Sequence, residues 1–280
     1  MSEIRIKLAE NDELNLRETL DCGQSFRWTE NADGTFSGVA FGQYVIASME
    51  NNTLIINSLK ENNEVNEKNE RLWAYYFDLN LNYGDIKENL SCIHPIMKNA
   101  AEFAPGIRIL NQEPWEALCS FIISQNNNIK RIKGIVNRFC TNFGDDLGEN
   151  LYSFPTAKKI SALSESDLSV LGAGYRSEYL IDAAQKTVTG ELNLKEIKAM
   201  PIAEARQELQ KVKGIGPKVA DCVLLYGMHR LECFPMDVWM KRAMATLFPS
   251  MSPEDFGEYA GIAQQYIFHY SRMNTEMFES

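Results

Sequence analysis

The chain has 280 residues, of which 45% are hydrophobic and 24% are charged, a composition typical of a folded globular protein and not of a disordered one. Its six cysteines lie far apart without a CxxC pair, which disfavours a disulfide framework or a zinc ribbon and predicts reduced, mostly buried thiols. No apolar run approaches the roughly 18 to 20 residues of a membrane span, and the charged first twenty residues contain no apolar leader. We therefore expect a cytosolic protein without membrane contact.

The charge is unevenly distributed along the chain. The formal net charge of −10 argues, taken alone, against a partner as acidic as DNA. Residues 1–100 hold nine basic and sixteen acidic side chains, whereas residues 121–144 hold four basic side chains and no acidic one. Residues 205–245 hold seven basic and four acidic side chains. A local basic face on an acidic body therefore stays possible.

The first sixty residues have the pattern of short β-strands. Ile4, Ile6 and Leu8 alternate with polar neighbours, as in a strand with one buried face. The run from Asn31 to Gly34 reads Asn-Ala-Asp-Gly, which favours a hairpin turn. A polar stretch at 60–70 is predicted to be a surface loop or linker. Further β-rich runs cover residues 26–28, 36–41, 44–48 and 54–56.

The rest of the chain has helical periodicity. Apolar residues recur at i, i+3, i+4 and i+7 in two successive segments, Trp115 to Ile122 and Ile129 to Phe139, and such stripes are typical of helices that face a core. The sequence therefore predicts an α+β fold. A small antiparallel sheet domain with a polar loop and the first helices is expected at 1–100, and a larger all-helical body is expected at 101–280.

A helix-hairpin-helix motif is predicted at 205–229. A helix is expected to end at Gly214, and the Gly-Ile-Gly turn of Gly214 and Gly216 is expected to need the positive φ that glycine adopts freely. Pro217 then opens the next helix, where its missing N–H costs nothing. The N–H groups of such a turn can bind a phosphate without a charged side chain. An ordinary glycine turn between two helices is the alternative.

Two charged residues near this hairpin suggest chemistry. Lys218 lies in the first turn of the second helix, where a cation opposes the helix dipole, and this placement suggests a nucleophile. Asp237 precedes the apolar run Val-Trp-Met, as a helix N-cap would. A capping carboxylate at the edge of a cleft can also stabilise a cation that develops on a substrate.

At this point the sequence resembles a known family. The hairpin, the lysine, the run VADC and the pattern Pro-x-Asp-Val are similar to the helix-hairpin-helix superfamily of DNA base-excision glycosylases, and most similar to its 8-oxoguanine DNA glycosylases. The resemblance extends over five ordered blocks that span nearly the whole chain. They are CGQSFRW at 22–28, SFIISQNNNIKRI at 120–132, LGAGYRSEY at 171–179, the hairpin region, and YAGIAQQYIF at 259–268.

The resemblance implies roles for the two charged residues and for a base pocket. Lys218 would attack the sugar of an extruded nucleotide and form a Schiff base, and Asp237 would stabilise the positive charge on the sugar. Spacing agrees in part, because Cys222 is four residues after Lys218 and Phe268 is four residues after Gln264. Each of these side chains is also compatible with ordinary core packing. The implied base-binding residues are Gly23, Cys222, Pro235, Gln264 and Phe268.

The resemblance also implies the partner and the DNA contacts. The partner would be double-stranded DNA that contains an oxidised purine, bound by a monomer that works in the cytoplasm, on the nucleoid if the source is bacterial. Asn126, Arg131 and Arg176 would contact the cytosine opposite the lesion, and Tyr175 would wedge into the base stack. No metal or cofactor is expected, since the iron–sulfur branch of the superfamily places four cysteines after the aspartate and here the last cysteine is Cys233.

Two other functions stay open. A related glycosylase for alkylated or mismatched bases would normally lack either the lysine or the GQSFRW block. A non-catalytic hairpin module that only binds DNA would not need Lys218 and Asp237.

Overall fold

The structure, a computed structural model, describes residues 2–58 and 66–278. The N-terminal part is a five-stranded antiparallel sheet with the strand order β1-β5-β4-β3-β2. The predicted turn at Asn31 to Gly34 is confirmed, since it joins β2 to β3 and Gly34 has a φ of 83°. The strands are β1 (Ser2–Lys7), β2 (Trp28–Glu30), β3 (Phe36–Ala40), β4 (Gln43–Glu50) and β5 (Thr53–Ser58).

The body that follows is helical, as predicted, and the structure departs from the sequence prediction at two places. A two-stranded hairpin of β6 (Asp146–Gly148) and β7 (Leu151–Tyr152) interrupts it, and strands of two or three residues leave too little periodicity to be predicted. The α-helices are α1 (Leu16–Leu20), α2 (Asn66–Tyr76), α3 (Tyr83–Ser91), α4 (Pro95–Phe103), α5 (Pro114–Ser124), α6 (Ile129–Phe143), α7 (Ala157–Ser161), α8 (Arg176–Thr189), α9 (Leu194–Ala199), α10 (Ile202–Leu209), α11 (Pro217–Met228), α12 (Val238–Leu247) and α13 (Ala260–Met273). Short 3₁₀ turns cover Asp167–Leu171, Pro253–Tyr259 and Thr275–Phe278.

The second departure is the polar stretch predicted as a loop at 60–70. Residues 59–65 lie outside the described residues, but residues 66–70 form the first turns of α2. These turns carry only polar side chains, and the apolar residues that fix the helix, Trp73 and Phe77, come later and are fully buried. The loop prediction was therefore wrong for residues 66–70, because burial at the far end of the helix outweighs a polar start.

Two apolar clusters make up the core. The smaller one joins the inner face of the sheet, including Ile4, Leu54 and Ile56, to Trp73 of α2. The larger one fills the helical body and includes residues of α3 and α4. A domain boundary at residue 100 stays a proposal, and the packing of α3 and α4 against the helical body favours a boundary nearer residue 80.

A buried arginine ties the N-terminal segment to the helical body. Arg108 has a fully buried guanidinium that makes an ion pair with Asp12 at 2.9 Å. Its remaining N–H groups donate to the carbonyls of Glu13, Phe77, Asp78 and Leu81 at 2.6 to 3.1 Å. A buried charge with every donor paired holds its neighbours in one arrangement, and removal of one partner is costly.

The cysteines agree with the prediction of reduced thiols. All six are free, and five of them are buried, whereas Cys92 is exposed. Within residues 2–58 and 66–278, we find no helix with the length and apolar character that a membrane crossing requires.

Candidate active site

Helix α11 presents a row of side chains to one cavity. Lys218, Cys222 and Tyr226 are spaced four residues apart, so they lie on one face of the helix, and all three line the same cavity. The Lys218 Nζ lies 5.9 Å from the centre of the Phe121 ring. Among the residues that the structure describes, no carboxylate lies within 4.0 Å of this nitrogen. The Lys218 amine is thus half-buried beside an aromatic wall and is not engaged in an ion pair.

Asp237 caps the next helix, as predicted. Its Oδ1 accepts a hydrogen bond from the Met240 N–H at 2.7 Å, at the N-terminus of α12. Within the described part of the chain it has no Lys or Arg partner within 4.0 Å. The carboxylate is therefore positioned by the helix end while its charge is not neutralised by a nearby cation.

All seven predicted catalytic and base-binding residues line this one cavity, which holds about 350 Å³ of empty space. It is bounded by α11, α13, the end of α5, the Cys22–Gly23 turn and the segment before α12. Four further residues that line the cavity were not predicted from the sequence. Of these, only Tyr226 could have been found by its spacing, because it follows Cys222 by four residues and so lies on the same face of α11. The predicted residues are Gly23, Lys218, Cys222, Pro235, Asp237, Gln264 and Phe268, and the missed ones are Cys22, Phe121, Tyr226 and Gln265.

Gly23 presents an unpaired carbonyl. Its φ is 93°, whereas a Cβ would meet only the Ile129 side chain at 3.7 Å, so backbone conformation and not space restricts this position to glycine. The next residue, Gln24, anchors the turn, because its amide donates to the Arg108 carbonyl at 2.7 Å and accepts from the Leu110 N–H at 2.9 Å. No hydrogen bond reaches the Gly23 carbonyl from any described residue. The anchored turn therefore leaves the carbonyl of a cavity-lining residue without a hydrogen-bond partner among the described residues.

The faces of the cavity suit a planar ring. Burial raises the pKa of the Cys222 thiol to about 11, so the thiol is neutral and acts as a small apolar surface. Phe268 lines the same cavity from α13 and is half-buried. Gln264 is buried and donates weakly to the Pro235 carbonyl at 3.3 Å, so its amide can exchange partners. An aromatic ring, a small apolar thiol and an amide thus line one space.

A larger open groove adjoins the cavity. It encloses about 1720 Å³, and it shares Lys218 and Asp237 with the smaller cavity. Predicted DNA-binding residues Asn126 and Arg131 lie in this groove, and Lys241 and Arg242 add two cations. Asn128 caps α6 by accepting from the Arg131 N–H at 3.0 Å. The groove therefore has a basic lining although the chain as a whole is acidic.

Tyr175, predicted as the wedge in the base stack, and Arg176, predicted to contact the cytosine, differ in exposure. Tyr175 is 49% exposed and stacks edge-on against Tyr179 with ring centres 5.5 Å apart. Arg176 is only 4% exposed and donates to the carbonyls of Gln125, Asn126 and Ala173. The exposed tyrosine is available as a wedge, whereas this arginine holds the Asn126 loop in place. Its geometry supports a positioning role more than the direct base contact that the resemblance implies.

The hairpin differs from its prediction in two details. The helix α10 ends at Leu209, five residues before Gly214. Gly214 has a φ of 75°, and a Cβ there would lie 2.1 Å from the Tyr179 ring, but Gly216 is the N-cap of α11 with an extended φ of −97°. Positive φ was therefore wrongly expected for Gly216.

The hairpin also leaves several backbone donors free. The N–H groups of Gly214, Gly216, Lys218 and Val219 donate to no described residue. Free N–H groups at a helix N-terminus form an anion site. The turn is fixed on α8, since the Lys213 N–H donates to Asp182 at 2.8 Å and its ammonium pairs with Glu178 at 2.7 Å.

Family models match nearly the whole chain. Residues 5–118 match the N-terminal domain of 8-oxoguanine DNA glycosylase, and residues 119–256 match the HhH-GPD superfamily of base-excision DNA repair proteins. An N-glycosylase/DNA lyase of Saccharomyces cerevisiae is 36% identical over 266 residues, which cover 84% of this chain and 69% of the relative.

Solved structures give the same result. The 8-oxoguanine glycosylase/lyase of Clostridium acetobutylicum, in complex with double-stranded DNA that contains cytosine opposite 8-oxoG, is 38% identical with a TM-score of 0.85, over 94% of this chain and 93% of that one. MBOgg1, in complex with a low-affinity DNA ligand, is 38% identical with a TM-score of 0.90, over 98% of this chain and 97% of the other. With its hairpin, lysine and capping aspartate in place, the chain belongs to the 8-oxoguanine DNA glycosylase family of helix-hairpin-helix base-excision repair proteins.

Proposed function

We propose that the protein is a bifunctional glycosylase and lyase that excises 8-oxoguanine from duplex DNA. The observation that carries this proposal is that Lys218 and Asp237 line both the base cavity and the larger groove beside it. When a base is extruded into a pocket while its phosphates stay outside, its sugar lies at the junction of the two spaces. The amine and the carboxylate would therefore lie beside the sugar carbon C1′.

The reaction follows from that placement. The neutral Lys218 amine attacks C1′, the bond between C1′ and the base nitrogen breaks, and the base leaves with the bonding electron pair. The lysine nitrogen loses a proton and, after the sugar ring opens, forms a C=N bond to C1′. Removal of a proton from C2′ then expels the 3′ phosphate by β-elimination. Asp237, which has no cation partner, stabilises the positive charge that develops on the sugar.

Recognition of the oxidised base is assigned to the cavity walls. Phe268 and Cys222 would sandwich the ring, and Gln264 would pair with its Watson–Crick edge. Guanine and 8-oxoguanine share that edge but differ at N7, which is an acceptor in guanine and an N–H donor in the oxidised base. The unpaired Gly23 carbonyl would accept from this N–H, and guanine would leave that acceptor unsatisfied.

The groove and the hairpin would hold the rest of the DNA. The free N–H groups of the hairpin would bind a phosphate, and Asn126 and Arg131 would face the base opposite the lesion. Tyr175 would fill the gap in the base stack. We further propose that the protein acts as a monomer in the cytoplasm, where the genome is accessible if the source is bacterial.

The two alternatives lack support from the site. A module that only binds DNA would not need a cavity with an amine and a carboxylate at its mouth. A glycosylase for alkylated or mismatched bases would not need the free Gly23 carbonyl, because that acceptor is matched to an N–H on the base.

The test is cleavage of duplexes that contain 8-oxoguanine opposite each of the four bases, with an undamaged duplex as the control. Base release is read after alkali, and lyase activity is read as strand cleavage without alkali. We expect both activities on the lesion and neither on guanine. Absence of base release opposite all four bases would refute the proposal.

A further inference from the structure

Gln265, next to the predicted Watson–Crick residue Gln264, carries an amide that is buried but incompletely paired. The side chain is 1% exposed and lines the base cavity. Its Oε1 accepts from the Tyr226 hydroxyl at 2.6 Å, whereas its Nε2 has no hydrogen-bond partner among residues 2–58 and 66–278. The buried side-chain atoms without a hydrogen-bond partner among the described residues include this nitrogen, and Gln265 is the one of their residues that lines the base cavity.

Tyr226 fixes the orientation of this amide. Its ring stacks on Phe121 with centres 5.2 Å apart and planes 18° from parallel, so the hydroxyl position is set by packing. The same hydroxyl lies 3.3 Å from the Gln264 Oε1, but its single hydrogen favours the shorter contact with Gln265. The Gln264 oxygen is thereby left free for a base, and the Gln265 nitrogen is held as a donor.

An unpaired buried donor is destabilising, and such a group in a ligand cavity is satisfied when the ligand supplies an acceptor. This step rests on the proposed function. If Gln264 takes the Watson–Crick edge and Gly23 faces N7, the substituent at C6 of the purine points between them. The Gln112 N–H donates to the Tyr226 carbonyl at 3.3 Å, and the Gln112 side-chain amide donates to the Gln24 carbonyl at 2.7 Å. Tyr226, and with it the Gln265 amide that it holds, therefore lies near the turn that carries Gly23.

We propose that Gln265, held by Tyr226, is a specificity-determining residue that donates to the O6 carbonyl of the extruded base. The pair selects purines with an oxygen at C6 and rejects those with an amino group there, which would place two donors against each other. Gly23 thus distinguishes a purine oxidised at C8 from an unoxidised one, and Gln265 distinguishes a guanine-type purine from an adenine-type purine.

The test compares Gln265→Leu with the unmodified protein on 8-oxoguanine and on 8-oxoadenine, each opposite cytosine, under single turnover. Leucine is similar in size to glutamine and removes the unpaired donor. The Tyr226 hydroxyl keeps a possible acceptor in the Gln264 Oε1, and we therefore expect the variant to fold. Release of 8-oxoguanine should fall about 10- to 100-fold, from the cost of the lost hydrogen bond, and release of 8-oxoadenine should not fall. Lyase activity on abasic DNA needs no base and should stay within about twofold.

Tyr226→Phe is the second variant, because it keeps the stacked ring and removes only the hydroxyl that orients the amide. It should show a smaller loss with the same base dependence. An unchanged rate on 8-oxoguanine in Gln265→Leu, or an equal loss of abasic-site lyase activity, would overturn the proposal. A selective loss on 8-oxoadenine would do so too, since it would mean that the amide presents its oxygen. If the unmodified protein releases no 8-oxoguanine, the proposed function itself fails, which is a different result.

Discussion

Asp237 has two separable roles, the helix cap and the negative charge, because a substitution by asparagine keeps the cap and removes the charge. Its carboxylate accepts from the Met240 N–H at 2.7 Å, and asparagine caps a helix about as well as aspartate. Asp237→Asn should therefore melt within about 2 °C of the unmodified protein, since a shift of about 1 kcal/mol moves the melting temperature of a large domain by roughly 2 to 4 °C. The lost charge should lower single-turnover base release about 10²- to 10³-fold, as when one preorganised electrostatic group is removed from an active site.

Two further variants make the comparison quantitative. Asp237→Ala loses both cap and charge, so it should be as slow as the asparagine variant and less stable by about 1 kcal/mol. Asn193→Ala is the matched control, because Asn193 caps α9 by accepting from the Glu196 N–H at 3.3 Å and lies outside the cavity lining. It should lose similar stability and no activity. If Asp237→Asn released 8-oxoguanine within about threefold of the normal rate, Asp237 would be a cap only and the electrostatic role would be wrong.

Three other predictions address the base, the DNA and the fold. Gly23→Ala, which strains a φ of 93°, should lower 8-oxoguanine release far more than it lowers the melting temperature or the affinity for abasic DNA. If the rate of release is unaffected, Gly23 has only a structural role. DNA affinity should fall with salt with a logarithmic slope of about −2 if Lys241 and Arg242 each meet a phosphate, and salt-independent binding would argue against the groove. Arg108→Met should destabilise the protein by about 3 to 5 kcal/mol in urea unfolding, because Asp12 and four carbonyls lose their donor; a change under 1 kcal/mol would contradict that assignment.

The sequence predicted local features well where a residue type has a strong preference for one position in a turn or at a helix end. The hairpin turn before Gly34, Pro217 at a helix start and the capping role of Asp237 all depend on the residue and its immediate neighbours. The i, i+4 spacing also placed Lys218 and Cys222 on one helix face, as observed.

The sequence was less informative where a role depends on distant packing. The side chain of Arg176 is indistinguishable in sequence from an exposed DNA contact, yet it is buried on the carbonyls of the Asn126 loop. Gly216 was expected to resemble Gly214, but only Gly214 faces the Tyr179 ring with a positive φ. Gln265 could not be chosen from its sequence position, because its pairing with Tyr226 joins residues 39 positions apart.

The most direct test of the mechanism is borohydride trapping on a duplex that contains 8-oxoguanine. Borohydride reduces the C=N bond of a Schiff base and leaves protein and DNA covalently joined, so it reports the nucleophile itself. We expect the unmodified protein to be trapped and Lys218→Gln to form no adduct while it still binds the duplex. Lys213→Gln is the matched control, since Lys213 lies in the same hairpin but pairs with Glu178, and it should be trapped normally. Adduct formation by Lys218→Gln at the level of the unmodified protein would contradict the assignment of Lys218 as the nucleophile.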